Sequence, residues 1–302
     1  MSSRRAALAA IGLYSPCRTG GILLQTLARL AVTVAGPRAL LGKPSDWSPP
    51  LLDADWASID AQLRDHVADY DELAVYERPQ PSRSGFSMLL LRQGRPSGFV
   101  RFRSGDSTPL DNERTALQGL AAHRSSAFHS AQPITWGSQG DWHYLATTVL
   151  PRLFHRVPRS VDLAAVVRQI RDGLAELPKP VGTPDHWWPM HGDLTPWNLR
   201  FFRGQGLALF DWEDSGWGPP HADEVHYRAA EGSLGMSVDP VVEPEAIGFW
   251  LDKLGSRTGR FNVRDTIGKG MAHQLEAWEQ GSVPSPSTRP RSGGGKNTGS
   301  VR

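Results

Sequence analysis

Between residues 72 and 104 the apolar positions fall into three short runs, ELAVYERP, GFSMLLLRQ and GFVRFRS, set apart by QPSRS and GRPS. Runs of this length, rich in Val, Leu, Tyr and Phe and bounded by Gly, Pro and Ser, predict β-strands joined by turns. The period then changes. DNERTALQGLAAHRSS places Leu117 and Leu120 on one helical face, with Asp111 as the expected N-cap. PITWGS and WHYLATTVLP, around the turn QGD, return to strand character. Residues 72–150 therefore predict a small antiparallel sheet with one helix inserted after its third strand.

On either side of this sheet the spacing is helical. SIDAQLRDHVADY (58–70) predicts one helix, and from SVDLAAVVRQIRDGLAEL (160–177) onward helical segments dominate, through ADEVHYRAAEG, EPEAIGFWLDKLG and VRDTIGKGMAHQLEAWEQ. Two stretches interrupt them. One is the loop WPMHGDLTPWN (188–198). The other is LRFFRGQGLALFDWED (199–214), which reads as strands LRFF and LALF joined by RGQG. The fold class is α+β, with an antiparallel-sheet N-lobe over 51–150 and a mainly helical C-lobe over 151–281. Residues 282–302 are rich in Ser, Pro and Gly without an apolar period, and predict a disordered tail.

Residues 1–50 predict a helical extension, closed by the proline-rich KPSDWSPP. Leu23, Leu27, Leu30 and Val34 share one face, with Gln25 and Arg29 elsewhere. Such a helix either docks on the main domain or lays that face on a membrane surface or a partner.

Composition narrows the function classes. Apolar residues at 39% and charged residues at 21% suit a globular protein, and a net charge of +2 is too small to argue for a nucleic-acid partner. A lone cysteine, Cys17, excludes an intramolecular disulfide and a cysteine-built metal site. No run approaches the roughly 20 apolar residues of a membrane span. The start carries an arginine pair and a short apolar run but no convincing cleavage site, so the expected location is cytoplasmic. His221 and His226, five apart, have the wrong spacing for a metal pair on one helix face.

The chemistry concentrates in the two interruptions. A hairpin between Asn198 and Asp211 brings one amide oxygen and one carboxylate together, a set that suits a hard cation such as Mg²⁺. Asp193 is then left to orient a hydroxyl and accept its proton. These are the parts that phosphoryl transfer needs. The structural alternative is a tight loop whose polar groups tie down its own backbone. Five tryptophans, Trp187, Trp188, Trp197, Trp212 and Trp217, crowd the same region, as core or as pocket wall.

His191-Gly192-Asp193-Leu194-Thr195-Pro196-Trp197-Asn198, followed by Asp211-Trp212-Glu213, resembles the aminoglycoside phosphotransferase and choline kinase family, with its HGDxxxxN and D-W/F-E motifs. GWGPPHADEVHY, leading to Asp223, is similar to that family too. The resemblance spans roughly 72–280 and implies a two-lobed protein-kinase-like fold. It implies an ATP- or GTP-using, Mg²⁺-dependent small-molecule kinase acting on a hydroxyl of an aminoglycoside-, choline- or sugar-like acceptor. Asp193 becomes the catalytic base, and Asn198 and Asp211 the metal ligands. His191 supports the loop, Glu213 assists the metal or holds the loop, and Asp223 caps a helix or braces the loop.

The small lobe departs from that pattern. Kinase-like enzymes place a lysine on the third strand, paired with a glutamate on the next helix, yet no lysine occurs between Lys43 and Lys179. Arg101, or Arg103 with the register moved by two, stands at that position, with Glu113 as partner. Arginine keeps the charge but changes the geometry. It marks either a working substitution or a lost activity, the latter giving a non-catalytic binding or regulatory protein. The turn QPSRSGFS, with Ser82, Ser84 and Gly85, either offers backbone N–H groups to phosphate or is an ordinary hairpin turn. TTVLP (147–151) stands where an adenine would bind.

Overall fold

The computed structural model describes residues 3–12, 19–37, 50–67, 69–77, 85–150, 155–156, 158, 160–202, 204–258 and 266–282. Ser82, Ser84, Cys17, Pro151 and the expected tail beyond Ser282 lie outside them.

Helices α1 (Arg4–Ile11), α2 (Thr19–Ala35) and α3 (Asp53–Val67) precede the sheet. Strands β1 (Glu72–Glu77), β2 (Gly85–Arg92) and β3 (Arg95–Ser104) follow, then α4 (Thr108–His123), β4 (Pro133–Gln139) and β5 (Trp142–Thr147). The strands lie in the order β1-β2-β3-β5-β4, all neighbours antiparallel. The second lobe holds β6 (His155–Arg156), α5 (Leu163–Gly173), β7 (Trp188–Met190), β8 (Leu199–Phe202), β9 (Gly206–Leu209), β10 (Gly216–Gly218), α6 (Ala222–Ser233), α7 (Pro244–Thr258) and α8 (Thr266–Glu279). This is the two-lobed kinase-like plan that the motifs imply.

The two-residue side-chain period decides what each sheet face does. Phe86, Met88, Leu90, Val100 and Phe102 point to one face and pack with Ile59, Leu63 and Val67 of α3. The intervening positions point the other way and divide in two. Ala74, Leu89 and Leu91 are covered by Ala6 of α1. Ser87 and Arg101, paired across β2 and β3, and Gly85 and Arg103, likewise paired, occupy the remainder, which faces the second lobe. Helix α4 joins the lobes: its Leu117 and Leu120 belong to the same core as Ile170, Leu194, Leu199, Leu209 and Trp212.

Two local expectations need correction. Helix α4 begins at Thr108 after Ser107, not after Asp111, because Pro109 is suited to a first helical turn; Asp111 lies inside the helix and accepts a hydrogen bond from Ser107 Oγ. The β2–β3 turn is Gln93-Gly94 and not GRPS. Both turn residues have positive φ, 51° and 70°, the geometry that matches strand twist in a two-residue hairpin. Of the two placements open to the helix carrying Leu23, Leu27, Leu30 and Val34, α2 takes the one in which those side chains face away from the protein.

Candidate active site

Two ladders carry the chemistry-bearing loops. Strands β8 and β9 form the expected hairpin, from Leu199↔Leu209 to Phe202↔Gly206. It returns the chain so that Phe210 N–H donates to the Asn198 carbonyl at 3.2 Å, which puts Asp211 one residue from Asn198 in space. Strands β7 and β10 form a second ladder, with Met190 opposite Gly216. Its three-residue strands are too short to show a period in sequence. The segment 191–198 and the turn 211–215 are thus pinned at both ends.

Gly192 shows how closely these segments approach. Its φ is +78°, and a β-carbon there would stand 2.0 Å from the Asp214 carbonyl oxygen. Only glycine meets both demands.

The loop backbone is then tied to α6. Asp223 Oδ2 accepts the His191 N–H at 2.7 Å, and Oδ1 accepts the Gly192 N–H at 3.1 Å. Burial pushes the Asp223 carboxyl up to about 6, although both N–H groups favour its ionised form. His191 is fully buried and works from both ring nitrogens. Nδ1 accepts the Asp193 N–H at 3.1 Å, so Nε2 carries the proton and donates to the Phe210 carbonyl at 3.2 Å. Burial pulls this imidazole down to about 4, so it is neutral near pH 7. The Trp212 ring packs against it, centroids 4.4 Å apart.

Asp193 stands partly exposed on this braced loop. Asn198 Nδ2 donates to its Oδ2 and to its carbonyl oxygen, each at 2.9 Å. His226 Nε2 lies 4.0 Å from Asp193 Oδ1, while its Nδ1 donates to the Leu194 carbonyl at 3.1 Å.

Above the turn sits a buried ion cluster. Arg101 Nη1 lies 2.8 Å from Asp211 Oδ1, 3.1 Å from Glu113 Oε2 and 3.7 Å from Glu213 Oε2. Arg103 Nη2 binds the same Glu213 oxygen. Burial lowers the Arg101 guanidinium, but the fields of Glu113, Asp211 and Glu213 outweigh it and hold the group above its ordinary range. Asp211 itself has φ +73°, a left-handed conformation uncommon outside glycine, imposed where the strand turns into the short 3-10 turn Trp212–Asp214.

The phosphotransferase enzyme family matches over residues 141–230. Over this segment the chain is similar to that family. The matched residues include Asp193, Asn198, Asp211, Glu213, Asp223 and His226, and stop short of Arg101 and Glu113. No curated protein matches. Among solved structures, a thermostable mutant of aminoglycoside phosphotransferase APH(4)-Ia, in ternary complex with ADP and hygromycin B, is 12% identical. It covers 76% of this chain and 100% of its own, with a TM-score of 0.47. A putative fructosamine-3-kinase from Haemophilus somnus is 12% identical, covering 74% and 97%, with a TM-score of 0.47. Amicoumacin kinase hAmiN, in complex with AMP-PNP, Ca²⁺ and Ami, is 12% identical, covering 78% and 95%, with a TM-score of 0.44.

Of the residues singled out in sequence, the fold draws Asp193, Asn198, Asp211, His191, Glu213, Asp223, Arg101 and Glu113 into one region at the junction of the lobes. Gly85 begins β2 beside Arg103, and Ser84 lies outside the described residues. Arg101 and Arg103 do not compete for one position; both are engaged. Among the described residues no group of three or more His, Cys, Asp or Glu side chains is placed to hold a metal ion. His226 was weighed only with His221, as a metal pair of the wrong spacing, and its place beside Asp193 was missed. Its signal was the spacing of three from Asp223, which puts both on the α6 face turned to the loop. Among the described residues no helix is long and apolar enough to cross a membrane.

Proposed function

We propose that this chain transfers the γ-phosphoryl group of ATP, or GTP, to a hydroxyl of a small molecule, with Asp193 as the base. The observation that carries this reading is how Asp193 is held. Its backbone N–H is fixed by His191, its Oδ2 by Asn198, and the loop beneath by Asp223, so the carboxylate is pre-positioned and still reachable. A hydroxyl hydrogen-bonded to it would lose its proton to Asp193 as its oxygen attacks phosphorus.

The remaining residues fit a divalent cation. Asn198 turns its amide nitrogen to Asp193, which aims its amide oxygen elsewhere, and the Asp211 carboxylate stands at the adjoining strand end. An amide oxygen and a carboxylate are donors that Mg²⁺ accepts alongside phosphate oxygens. When bound, the ion would neutralise phosphate charge. Glu213 is engaged by Arg103 and Arg101, so we assign it to the ion cluster. Arg101 would supply the positive charge that a lysine brings elsewhere in this fold, and the acceptor would be aminoglycoside-, choline- or sugar-like.

One observation favours a second reading, a non-catalytic kinase-like binding protein. The Arg101 nitrogen that would meet phosphate already serves Glu113 and Asp211. A screen of phosphate transfer from ATP and GTP over hydroxyl-bearing metabolites and antibiotics separates the two. Transfer supports the kinase; nucleotide binding without transfer to any acceptor supports the binding protein.

A further inference from the structure

Helix α2 is inverted relative to an ordinary surface helix. Its inward face is formed by Gln25, Arg29, Val32 and Gly36, which follow one another at helical spacing and rest on α1. Gln25 Nε2 donates to the Ile11 carbonyl at 2.8 Å, Arg29 lies against Gly12, and Val32 is fully buried. The outward face is apolar. Leu23, Leu24, Leu27, Leu30 and Val34 are between 53 and 71% exposed, and four of them form a continuous stripe opposite the docking face. Soluble surfaces scatter single apolar side chains, whereas a continuous stripe along a helix marks a site of contact.

Charge selects the occupant. Residues 1–45 contain Arg4, Arg5, Arg18, Arg29, Arg38 and Lys43 and no acidic residue; the first is Asp46. Arg4 reaches the C-terminal end of the stripe, where Nη2 lies 3.5 Å from the Val34 carbonyl, and Arg5 is exposed beside it. Stripe-to-stripe pairing of two copies would oppose two basic segments with no acid to offset them. An anionic lipid surface supplies both an apolar layer and the missing negative charge. At 17 residues α2 is about 26 Å long, and it meets no criterion for crossing a bilayer.

We propose that α2 lies in the plane of an anionic membrane, with Leu23, Leu27, Leu30 and Val34 in the headgroup–acyl boundary and the exposed Arg4 and Arg5 on the lipid phosphates. The stripe is a docking surface independent of the phosphotransferase reading, and it brings the two-lobed body to a lipid surface.

The test is flotation of the full chain with vesicles of phosphatidylcholine alone and of phosphatidylcholine mixed with phosphatidylserine. Binding is expected on the mixed vesicles, at least about tenfold above the neutral ones, and weakened by salt. The double substitution Leu27→Ser with Leu30→Ser changes only exposed side chains. It should keep the wild-type melting temperature and lose binding by about tenfold or more. Equal binding of wild type and variant, or no preference for the anionic vesicles, would overturn the proposal. So would self-association in light scattering that the same substitutions abolish, with no vesicle binding by the wild type.

Discussion

Arg101 Nη1 and Asp211 Oδ1 stand 2.8 Å apart although 110 residues separate them in the chain. The arginine belongs to the sheet lobe and the aspartate to the turn of the helical lobe, so this contact is a tie between the two. The same nitrogen makes the contacts to Glu113 and Glu213. Arg101→Ala removes the cation shared by the buried Glu113 and Glu213 and the partly buried Asp211. It should cost roughly 3–5 kcal/mol, the usual penalty for breaking a buried pair from one side. Because one nitrogen carries every contact, a lysine ammonium can replace it, and Arg101→Lys should retain stability and nucleotide affinity. Chemical denaturation and nucleotide titration check this. Equal nucleotide affinity in wild type, Ala and Lys forms would move the phosphate contact elsewhere.

Asp223 makes two hydrogen bonds that an amide cannot reproduce. Asn at this position keeps one acceptor oxygen and turns an NH₂ toward the other backbone N–H. Asp223→Asn should therefore destabilise the protein by roughly 1–3 kcal/mol. It should also lower turnover, because the backbone beneath Asp193 is released. Denaturation midpoints and activity measured on one preparation check both parts. A variant with wild-type stability would show that the two bonds contribute nothing net.

The same pair predicts a dependence on pH. Asp223 titrates at about 6 in the folded protein against an ordinary 3.8, so its contribution is full below 3.8 and lost as pH rises through 6. His191 titrates at about 4 against an ordinary 6.5, so its contribution is present above 6.5 and lost as pH falls through 4. Between 4 and 6 the two slopes oppose each other. Asp223→Asn removes one of them, and stability of the variant should climb more steeply with pH across that window than that of the wild type. Urea midpoints measured at intervals from pH 4 to 6.5 decide it. Parallel profiles contradict the assignment.

Gly192→Ala places a methyl group on a left-handed residue and drives it into the Asp214 carbonyl. A loss of about 3 kcal/mol or more is expected, with activity falling further because Asp193 is the next residue. A thermal melt is sufficient to check it, and a shift of less than a few degrees would contradict the geometry.

Most of this arrangement is legible in the sequence. The strand period at 85–104 separates core from cleft, which is why Arg101 and Arg103 emerge on the same side. The β8–β9 hairpin follows from its turn residues, and with it the approach of Asp211 to Asn198. Three-residue strands such as β7 and β10 have no period to detect, so the second ladder was not legible. His226 was missed because its meaning lies in a contact with Asp193, on a loop 33 residues earlier in the chain. The orientation of α2 stayed open in the sequence for a different reason. An apolar stripe shows that a face wants to leave water, not what it will meet, and here Gln25 and Arg29 turn inward instead.

The central claim is that Asp193 accepts the proton of a small-molecule hydroxyl during phosphoryl transfer. The most direct measurement is transfer of labelled γ-phosphate from ATP, with Mg²⁺, to the best acceptor found by screening, for the wild type and Asp193→Asn side by side. The substitution keeps the side chain's shape and one oxygen acceptor, so the melting temperature should hold while transfer falls by roughly 10²–10⁴-fold. Transfer by the variant at the wild-type rate would contradict the account.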